Sequence, residues 1–205
     1  MNKTIISFDI DGVLAQFGRE FTKAIRAEFP QKEVPYDFEP TTWEYTDVLT
    51  ADEFPLVWQR TIRTPRLWEN MLPYAENVEA LAGFISREHN NFDIYYITSR
   101  VDTPGDSAFS QTSRWLMDHD LLWYNTSLLV VKKADQKIPI IRGLEIEASV
   151  DDHLPTVIAA SKVPGHKAFV YSRPWNKQGR PDGLNTVSNL QEYLTEMVKL
   201  RENQK

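Results

Sequence analysis

An apolar run that ends in two closely spaced carboxylates constrains this chain more than any other feature. Residues 4–14 read TIISFDIDGVL, so Asp9 and Asp11 follow a strand-like stretch and Gly12 comes directly behind them. Alternate side chains share one face of a strand, but where the chain leaves the sheet both carboxylates can converge. The pair is therefore a candidate site for a cation and a reacting atom. A strand followed by an ordinary acidic turn is the alternative, because Asp and Gly are common turn residues.

Apolar runs alternate with helical patterns along much of the remaining chain. Five runs bounded by turn or charged residues are predicted to be buried strands: residues 4–8, 92–97, 127–131, 146–150 and 167–171. Periodic apolar residues predict helices over 75–88 and 107–118, and Ser188 with Gln191 predicts the cap of a final helix. This alternation predicts an α/β fold with a doubly wound parallel sheet, in which the carboxyl ends of the strands line the ligand crevice.

Residues 15–73 depart from this alternation because the segment is too long for a crossover between two strands. Apolar residues recur at four-residue steps from Phe17 to Phe29 and predict a first helix, and a second helix is predicted further on. We interpret the segment as a small helical cap inserted after the first strand, with a core formed by residues 1–14 and 74–205. A helical hairpin that simply completes the core is the alternative.

The composition narrows the classes of function. A chain of 205 residues with 41% hydrophobic and 25% charged residues suits one globular domain with an inserted subdomain. The formal charge of −6 argues against a long nucleic-acid groove, because binding to a phosphate backbone needs a concentrated basic surface. Cysteine is absent, which excludes thiolate nucleophiles and Cys-based zinc sites. Neither a secretory signal nor a membrane-spanning stretch is recognisable, so a cytoplasmic protein without membrane association is expected.

Further polar residues stand at the ends of the later apolar runs or open a predicted helix. They are, in chain order, Thr98 with Ser99, Lys137, and Asp151 with Asp152. Together with the leading DxDGV, they resemble the four motifs of the haloacid dehalogenase (HAD) superfamily of aspartate-nucleophile phosphotransferases. The resemblance spans residues 4–152 and implies a three-layer, HAD-type Rossmann-like core with a cap. Lys132 and Lys133 are alternatives for the motif lysine, although a solvated pair at a strand end is the favoured interpretation of both.

The resemblance implies a role for each of these groups. Asp9 would attack phosphorus and form an aspartyl-phosphate, while Asp11 would protonate the leaving group and then activate water. Phosphatases of the superfamily carry a second Asp at this place, so hydrolysis is implied rather than dehalogenation. Thr98, Ser99 and Lys137 would bind the phosphate oxygens.

A divalent cation is expected among these acids. Asp9, Asp151 and a substrate phosphate disfavour joint ionisation when they lie a few ångströms apart, unless a cation offsets their charge. Mg²⁺ prefers oxygen ligands, and the expected set is the carboxylates of Asp9 and Asp151 with the carbonyl of Asp11. Asp152 is expected to lie outside this set and to orient a water or Lys137.

Within the superfamily the chain resembles the 5'(3')-deoxyribonucleotidases, or cytosolic type C 5'-nucleotidases. The stretches DIDGVLAQF, LPYAEN, ITSR, VDDH and YSRPWN carry this resemblance. By matching position, Phe17 would face the substrate base, Trp43 would form the other wall of a stacking slot, and Arg100 would lie in the substrate pocket. Core packing is an equally good interpretation of each aromatic residue. His153 and Arg173 stand where the family usually carries arginine and glutamine, which leaves the base and sugar preference open.

The sequence therefore predicts a Mg²⁺-dependent phosphatase for a small phosphate monoester, with a nucleoside 5'-monophosphate as the favoured substrate. Two alternatives remain open. One is a HAD phosphatase for a sugar phosphate or a nucleic-acid end, and the other is a nucleotide-binding module without turnover. Ribose or deoxyribose preference and the formation of a homodimer are also left open.

Overall fold

A parallel six-stranded sheet forms the centre of the molecule. The computed structural model describes residues 3–203, and its strands lie in the order β3-β2-β1-β4-β5-β6. The strands are β1 (Thr4–Phe8), β2 (Phe92–Ser99), β3 (Thr126–Val131), β4 (Ala148–Asp151), β5 (Lys167–Tyr171) and β6 (Asn185–Val187). Every neighbouring pair is parallel. The predicted doubly wound α/β fold is thus confirmed, because this is the strand order of Rossmann-like sheets.

Helices cover both faces of the sheet. They are α1 (Phe17–Glu28), α2 (Glu53–Ile62), α3 (Ala75–Glu88), α4 (Ala108–Asp118), α5 (Lys137–Gly143), α6 (Leu154–Ala160) and α7 (Leu190–Glu202). Buried residues of α3, α4 and α7 belong to the larger hydrophobic cluster, whereas those of α5 and α6 belong to a second cluster. The first strand shows how the layers divide, since Ile6 and Phe8 enter the larger cluster and Ile5 packs against the other. The fold therefore has three layers.

The segment between β1 and α3 contributes α1 and α2, which pack against each other. Phe21 of α1 anchors this packing, with its ring centroid 4.6 Å from that of Tyr45 and 5.3 Å from that of Phe54. Residues of the segment join the same hydrophobic cluster as Phe8 of the central strand. The division into a cap of residues 15–73 and a separate core stays a prediction.

Several boundaries differ from those predicted: β2 continues to Ser99 and β3 begins at Thr126, and two further differences have clear physical reasons. Strand β4 begins at Ala148, because the backbone N–H of Ile146 still donates to the carbonyl of Ile141 (3.0 Å) in the turn that ends α5. The cap of the last helix was placed one residue too early. Asn189 accepts from the N–H of Glu192 at 3.0 Å, and the Glu192 carboxylate accepts from the N–H of Ser188 at 2.7 Å.

Among residues 3–203, no helix combines the length and the apolar composition that crossing a membrane requires.

Candidate active site

The carboxyl ends of three adjacent strands bring the predicted site residues together. Asp9 follows β1, Thr98 and Ser99 close β2, and Asp151 closes β4. The backbone N–H of Asp9 donates to the carbonyl of Val150 at 2.9 Å, which ties the end of β1 to the end of β4. Strands β2 and β3 lie on one side of β1, and β4, β5 and β6 lie on the other. Open parallel sheets leave a crevice at the point where the chain switches from one side to the other, which here lies between β1 and β4.

Gly12 allows the chain to turn directly behind the two acids. Its φ of +75° lies in the left-handed region, which a glycine adopts without steric cost. A Cβ atom at this position would lie 2.2 Å from the Asp152 Oδ2 atom. The first acidic loop and the carboxylate that follows β4 therefore approach as closely as they do because this residue has no side chain.

Lys137 joins the two acidic segments. Its Nζ atom lies 3.0 Å from Asp9 Oδ2 and 2.8 Å from Asp151 Oδ2, and its side chain is only 4% exposed. The other oxygen of Asp9 accepts from the backbone N–H of Ile10 at 2.7 Å, so both oxygens of this carboxylate are held. Lys132 and Lys133, the alternatives for the motif lysine, are exposed.

Burial and mutual repulsion dominate the electrostatics of this cluster. Burial, followed by the negative charge of Asp151, raises the pKa of Asp9 well above its ordinary value. Burial alone would lower the pKa of Lys137, but the carboxylates of Asp151 and Asp9 raise it above its ordinary value. One ammonium thus faces several carboxylates in a buried site, which leaves an excess of negative charge.

The arrangement of carboxylates fits a divalent metal ion. One oxygen from each of Asp9, Asp151 and Asp152 lies within 4.8 Å of the others, and all three residues are buried. An all-oxygen donor set with excess negative charge suits a hard cation such as Mg²⁺. Asp152, which was expected outside the ligand set, belongs to this cluster, and the exact set of ligands stays a prediction.

Asp152 is held by the segment that follows β5. The indole Nε1 of Trp175 donates to its Oδ2 atom at 3.0 Å, and the amide of Asn176 donates to its backbone carbonyl at 2.7 Å. Burial and the charge of Asp151 raise the pKa of Asp152 to about 7. The motif YSRPWN, noted in the sequence without a role for its Trp and Asn, therefore supports the acidic cluster.

Asp11 is paired with a buried arginine. Arg100 donates from Nε to Asp11 Oδ2 at 2.9 Å and from Nη2 to Asp11 Oδ1 at 2.8 Å. The Thr98 hydroxyl lies 3.4 Å from the same carboxylate. The sequence placed Arg100 in the substrate pocket, but its side chain is fully buried and makes its contacts with Asp11, Thr112 and the ring of Trp68.

A cavity of about 210 Å³ opens over these groups. It is lined by Asp9, Asp11, Phe17, Trp43, Trp58, Trp68, Thr98, Ser99, Ala134, Lys137, Asp152 and His153. The charged and hydroxyl-bearing side chains of this lining follow the strand ends, apart from that of Lys137, which opens α5. The large aromatic rings all come from the segment between β1 and α3. The cavity therefore joins a polar end suited to a phosphate and an aromatic surface suited to a flat ring.

Phe17 and Trp43 both line the cavity, but they contact each other. Their ring centroids lie 6.0 Å apart with an interplanar angle of 20°, which is within the range of direct aromatic contact. Phe17 makes a similar contact with Trp68, at 6.0 Å and 22°. In this structure no ring can enter between Phe17 and Trp43, and the space for one lies beside them. Their predicted role in binding a base stays untested.

The two residues that depart from the family pattern, His153 and Arg173, lie in different parts of the site. His153 lines the cavity, with Nδ1 2.8 Å from the Thr156 hydroxyl and its ring 6.4 Å from that of Trp43, and burial lowers its pKa. Arg173 donates from Nε to the carbonyl of Gly12 at 2.8 Å and lies over the ring of Tyr74 at 3.9 Å. Arg173 therefore supports the acidic loop from behind.

Sequence reasoning missed Trp58 and Trp68 as cavity residues. The spacing of Trp58 from Val57 and Ile62 fits the apolar face of the second predicted helix, which indicates packing rather than a place in a cavity. Trp68 carried no signal, because it lies outside the periodic segments. Only the three-dimensional path of residues 15–73 brings both indoles to the acidic site.

Comparison with known proteins identifies the family. The model of the family described as "5' nucleotidase, deoxy (Pyrimidine), cytosolic type C protein" matches residues 3–143, which is more than half of the chain. The chain belongs to this nucleotidase family. A protein of Oceanobacillus iheyensis named "Putative nucleotidase OB0422" is 29% identical over 98 residues, which cover 48% of this chain and 50% of that protein. The matched part thus spans half the length of that relative.

Solved structures of HAD hydrolases share the fold. A HAD-like hydrolase of Bacteroides fragilis superposes with a TM-score of 0.58 at 14% identity, covering 94% of this chain and 100% of that one. A HAD-like protein of Streptococcus pneumoniae gives 0.56 at 13%, with 97% and 98% covered. The HAD hydrolase YfnB of Bacillus subtilis, solved with bound magnesium, gives 0.54 at 15%, with 96% and 99% covered. These likenesses confirm the HAD-type fold.

Proposed function

We propose that this protein is a Mg²⁺-dependent phosphatase that hydrolyses a nucleoside 5'-monophosphate through an aspartyl-phosphate. The observation that carries the proposal is a cavity lined by Asp9, Asp11, Thr98 and Lys137 that continues into an aromatic surface. Asp151 contacts Lys137 at 2.8 Å. Membership of the nucleotidase family supports the same substrate class. The word "cytosolic" in the description of the family supports a location in the cytosol.

The geometry supports Asp9 as the nucleophile and two contacts as the groups that orient it. Asp9 has one oxygen on the Ile10 N–H and the other near the Lys137 ammonium, so the direction of its carboxylate is fixed before substrate binds. In the first step an Asp9 oxygen bonds to phosphorus while the ester bond breaks. Lys137, Thr98 and Ser99 line the cavity, which supports a role for their ammonium and hydroxyl groups in binding the phosphoryl oxygens.

Asp11 lines the cavity together with Asp9, which supports a role for its carboxyl group in moving the protons. In the first step its protonated carboxyl gives a proton to the departing ester oxygen. In the second step a water bonds to phosphorus, its proton passes to Asp11, and the bond between phosphorus and Asp9 breaks. Asp11 is then protonated again and Asp9 is free.

Asp9, Asp151 and Asp152 would hold the metal ion, with the carbonyl of Asp11 as the further ligand expected from the family. Bound there, Mg²⁺ would supply positive charge to offset the crowded carboxylates and the phosphate. The magnesium found in the Bacillus subtilis hydrolase supports this choice of ion. The aromatic lining favours a nucleotide over a sugar phosphate, because a nucleobase offers a π-face to Phe17 and the indoles.

Phosphate release from a panel of esters tests the proposal. We expect nucleoside 5'-monophosphates to be hydrolysed with Mg²⁺, and Asp9→Asn to abolish release because the amide is a poor nucleophile. Asp93→Asn is the matched control, since Asp93 is the second residue of β2, at the end of the strand away from the site, and pairs with Lys3. Faster phosphate release from sugar phosphates or nucleic-acid ends than from nucleotides would contradict the proposed substrate class. Binding of a nucleotide without any release would contradict the enzymatic proposal.

A further inference from the structure

Arg100 holds the proposed proton donor with a planar fork. Two guanidinium nitrogens contact the two oxygens of Asp11 at 2.9 and 2.8 Å, which is the bidentate geometry of an arginine and a carboxylate. The arginine side chain is fully buried, whereas that of Asp11 is 14% exposed and lines the cavity. The carboxylate thus lies between a buried cation and the space for the substrate.

The guanidinium itself has little freedom. Its third nitrogen, Nη1, donates to the Thr112 hydroxyl at 2.7 Å, and that hydroxyl donates to the carbonyl of Ala108 at 2.6 Å. The Cζ atom of the guanidinium lies 4.9 Å from the centroid of the Trp68 ring. The backbone N–H of Arg100 donates to the carbonyl of Val131 at 2.9 Å, which fixes the residue beside β3. A guanidinium held by α4, β3 and Trp68 has one orientation, so Asp11 has one as well.

We propose that Arg100 is a positioning residue that orients the Asp11 carboxylate for proton transfer. The inference rests on the phosphatase activity proposed above and adds to it a residue that does not touch the substrate. Each carboxylate oxygen has two lone pairs, and the fork uses one on each oxygen. Oδ2 also accepts from the Thr98 hydroxyl at 3.4 Å, so the second lone pair of Oδ1 is left for the proton that Asp11 gives to the ester oxygen and later takes from water. Guanidinium groups are not deprotonated in proteins, so the proton that moves in both steps is carried by Asp11.

Arg100→Lys is the informative substitution. A lysine keeps the positive charge beside Asp11, but its ammonium is a single point charge that cannot form the planar fork. The carboxylate would remain paired and yet lose its fixed direction. Because proton transfer depends on the position of the donor, we expect turnover to fall while substrate binding is preserved.

The leaving group separates this role from a purely structural one. An alkyl ester such as a nucleoside 5'-monophosphate needs a proton on its departing oxygen, whereas 4-nitrophenyl phosphate releases a stable phenolate. Departure of the leaving group is reported by kcat/KM, whereas the later hydrolysis of the aspartyl-phosphate is common to both esters. We expect Arg100→Lys to lower kcat/KM for the nucleotide at least about tenfold more than kcat/KM for the aryl ester. The KM values and inhibition by inorganic phosphate should change little. An equal loss on both esters overturns the positioning role.

A double-mutant cycle with Asp11→Asn gives an independent test. If Arg100 acts through Asp11, adding Arg100→Lys to Asp11→Asn should cause no further loss of kcat on the aryl ester. Losses that simply multiply would overturn the proposal. Arg114→Lys is the matched control, because Arg114 lies on α4 and binds Glu69 and Asp106 near the surface. It should leave both esters unaffected.

Thr112→Val keeps the test decisive if Arg100→Lys does not fold. This substitution nearly preserves side-chain volume and removes only the hydroxyl that accepts from Nη1. A loss of activity that is smaller than in Arg100→Lys, but again larger for the nucleotide than for the aryl ester, supports the proposal. A loss of activity that is equal for both esters overturns it. Absence of phosphate release from every ester by the unmodified protein would instead reject the phosphatase activity on which the inference rests.

Discussion

Lys137 is the residue on which the balance of charge in the site depends. Its ammonium is shared by Asp9 and Asp151 at 3.0 and 2.8 Å in a buried position. We expect Lys137→Ala to lower kcat by about 100-fold or more, because a preorganised cation for the phosphoryl oxygens is lost. Lys132→Ala and Lys133→Ala serve as matched controls, since both side chains are exposed, and each should stay within about twofold of the unmodified protein. A larger loss in either control would contradict the assignment.

The contacts of Arg100 could not be predicted from the sequence. The acids at the strand ends could be predicted, because the carboxyl ends of parallel strands meet at one edge whatever the loops do. The motif ITSR placed Arg100 after β2, but a sequence does not show in which direction a loop side chain points. Here the side chain turns inward to Thr112, a residue twelve positions later on α4. That contact depends on how α4 packs, which no local pattern encodes.

Helices α1 and α2 supply much of the aromatic surface, and α2 allows a test with an internal control. Trp58 lines the cavity, whereas Leu56 on the same helix is 52% exposed. We expect Trp58→Ala to lower kcat/KM for a nucleoside monophosphate about tenfold relative to ribose 5-phosphate, because base stacking contributes about 1–3 kcal/mol. Leu56→Ala should leave this ratio unchanged. Equal effects of Trp58→Ala on both esters would contradict a base-binding role.

Among the elements, those with long apolar runs were predicted best. Strands β1 and β5 match the predicted bounds, and α3 does so as well, because burial on a sheet or on one helix face imposes a clear period. Strand β6 was missed. It has three residues, Asn185 and Thr186 are exposed, and it exists because the neighbouring β5 offers a ladder of hydrogen bonds. Short edge strands of this kind depend on tertiary pairing rather than on local sequence.

At the scale of the whole molecule, the buried carboxylates of the acidic cluster determine how the free energy of unfolding should vary with pH when no metal is bound. Burial and Asp151 raise the pKa of Asp152 from 3.8 to about 7. Between about pH 4 and pH 7 the folded protein therefore holds a proton that the unfolded chain has lost. The free energy of unfolding should fall as pH rises through this window, by at most about 1.4 kcal/mol per pH unit for this one group.

Urea unfolding in a chelator at pH 5 and pH 7 measures this dependence. In Asp152→Asn the side chain does not titrate, so the loss of stability between the two pH values should be smaller than in the unmodified protein. Asp9, whose pKa burial also raises, contributes a dependence of the same sign in both proteins. His119, His153 and His166, whose pKa values burial lowers, contribute the opposite sign in both proteins, so the difference between the two proteins isolates Asp152. Excess Mg²⁺ at pH 7 should raise the free energy of unfolding of the unmodified protein, because an ion that binds only the folded state stabilises it. An identical pH dependence in both proteins would contradict a raised pKa of Asp152. The absence of stabilisation by Mg²⁺ would contradict the proposed metal site.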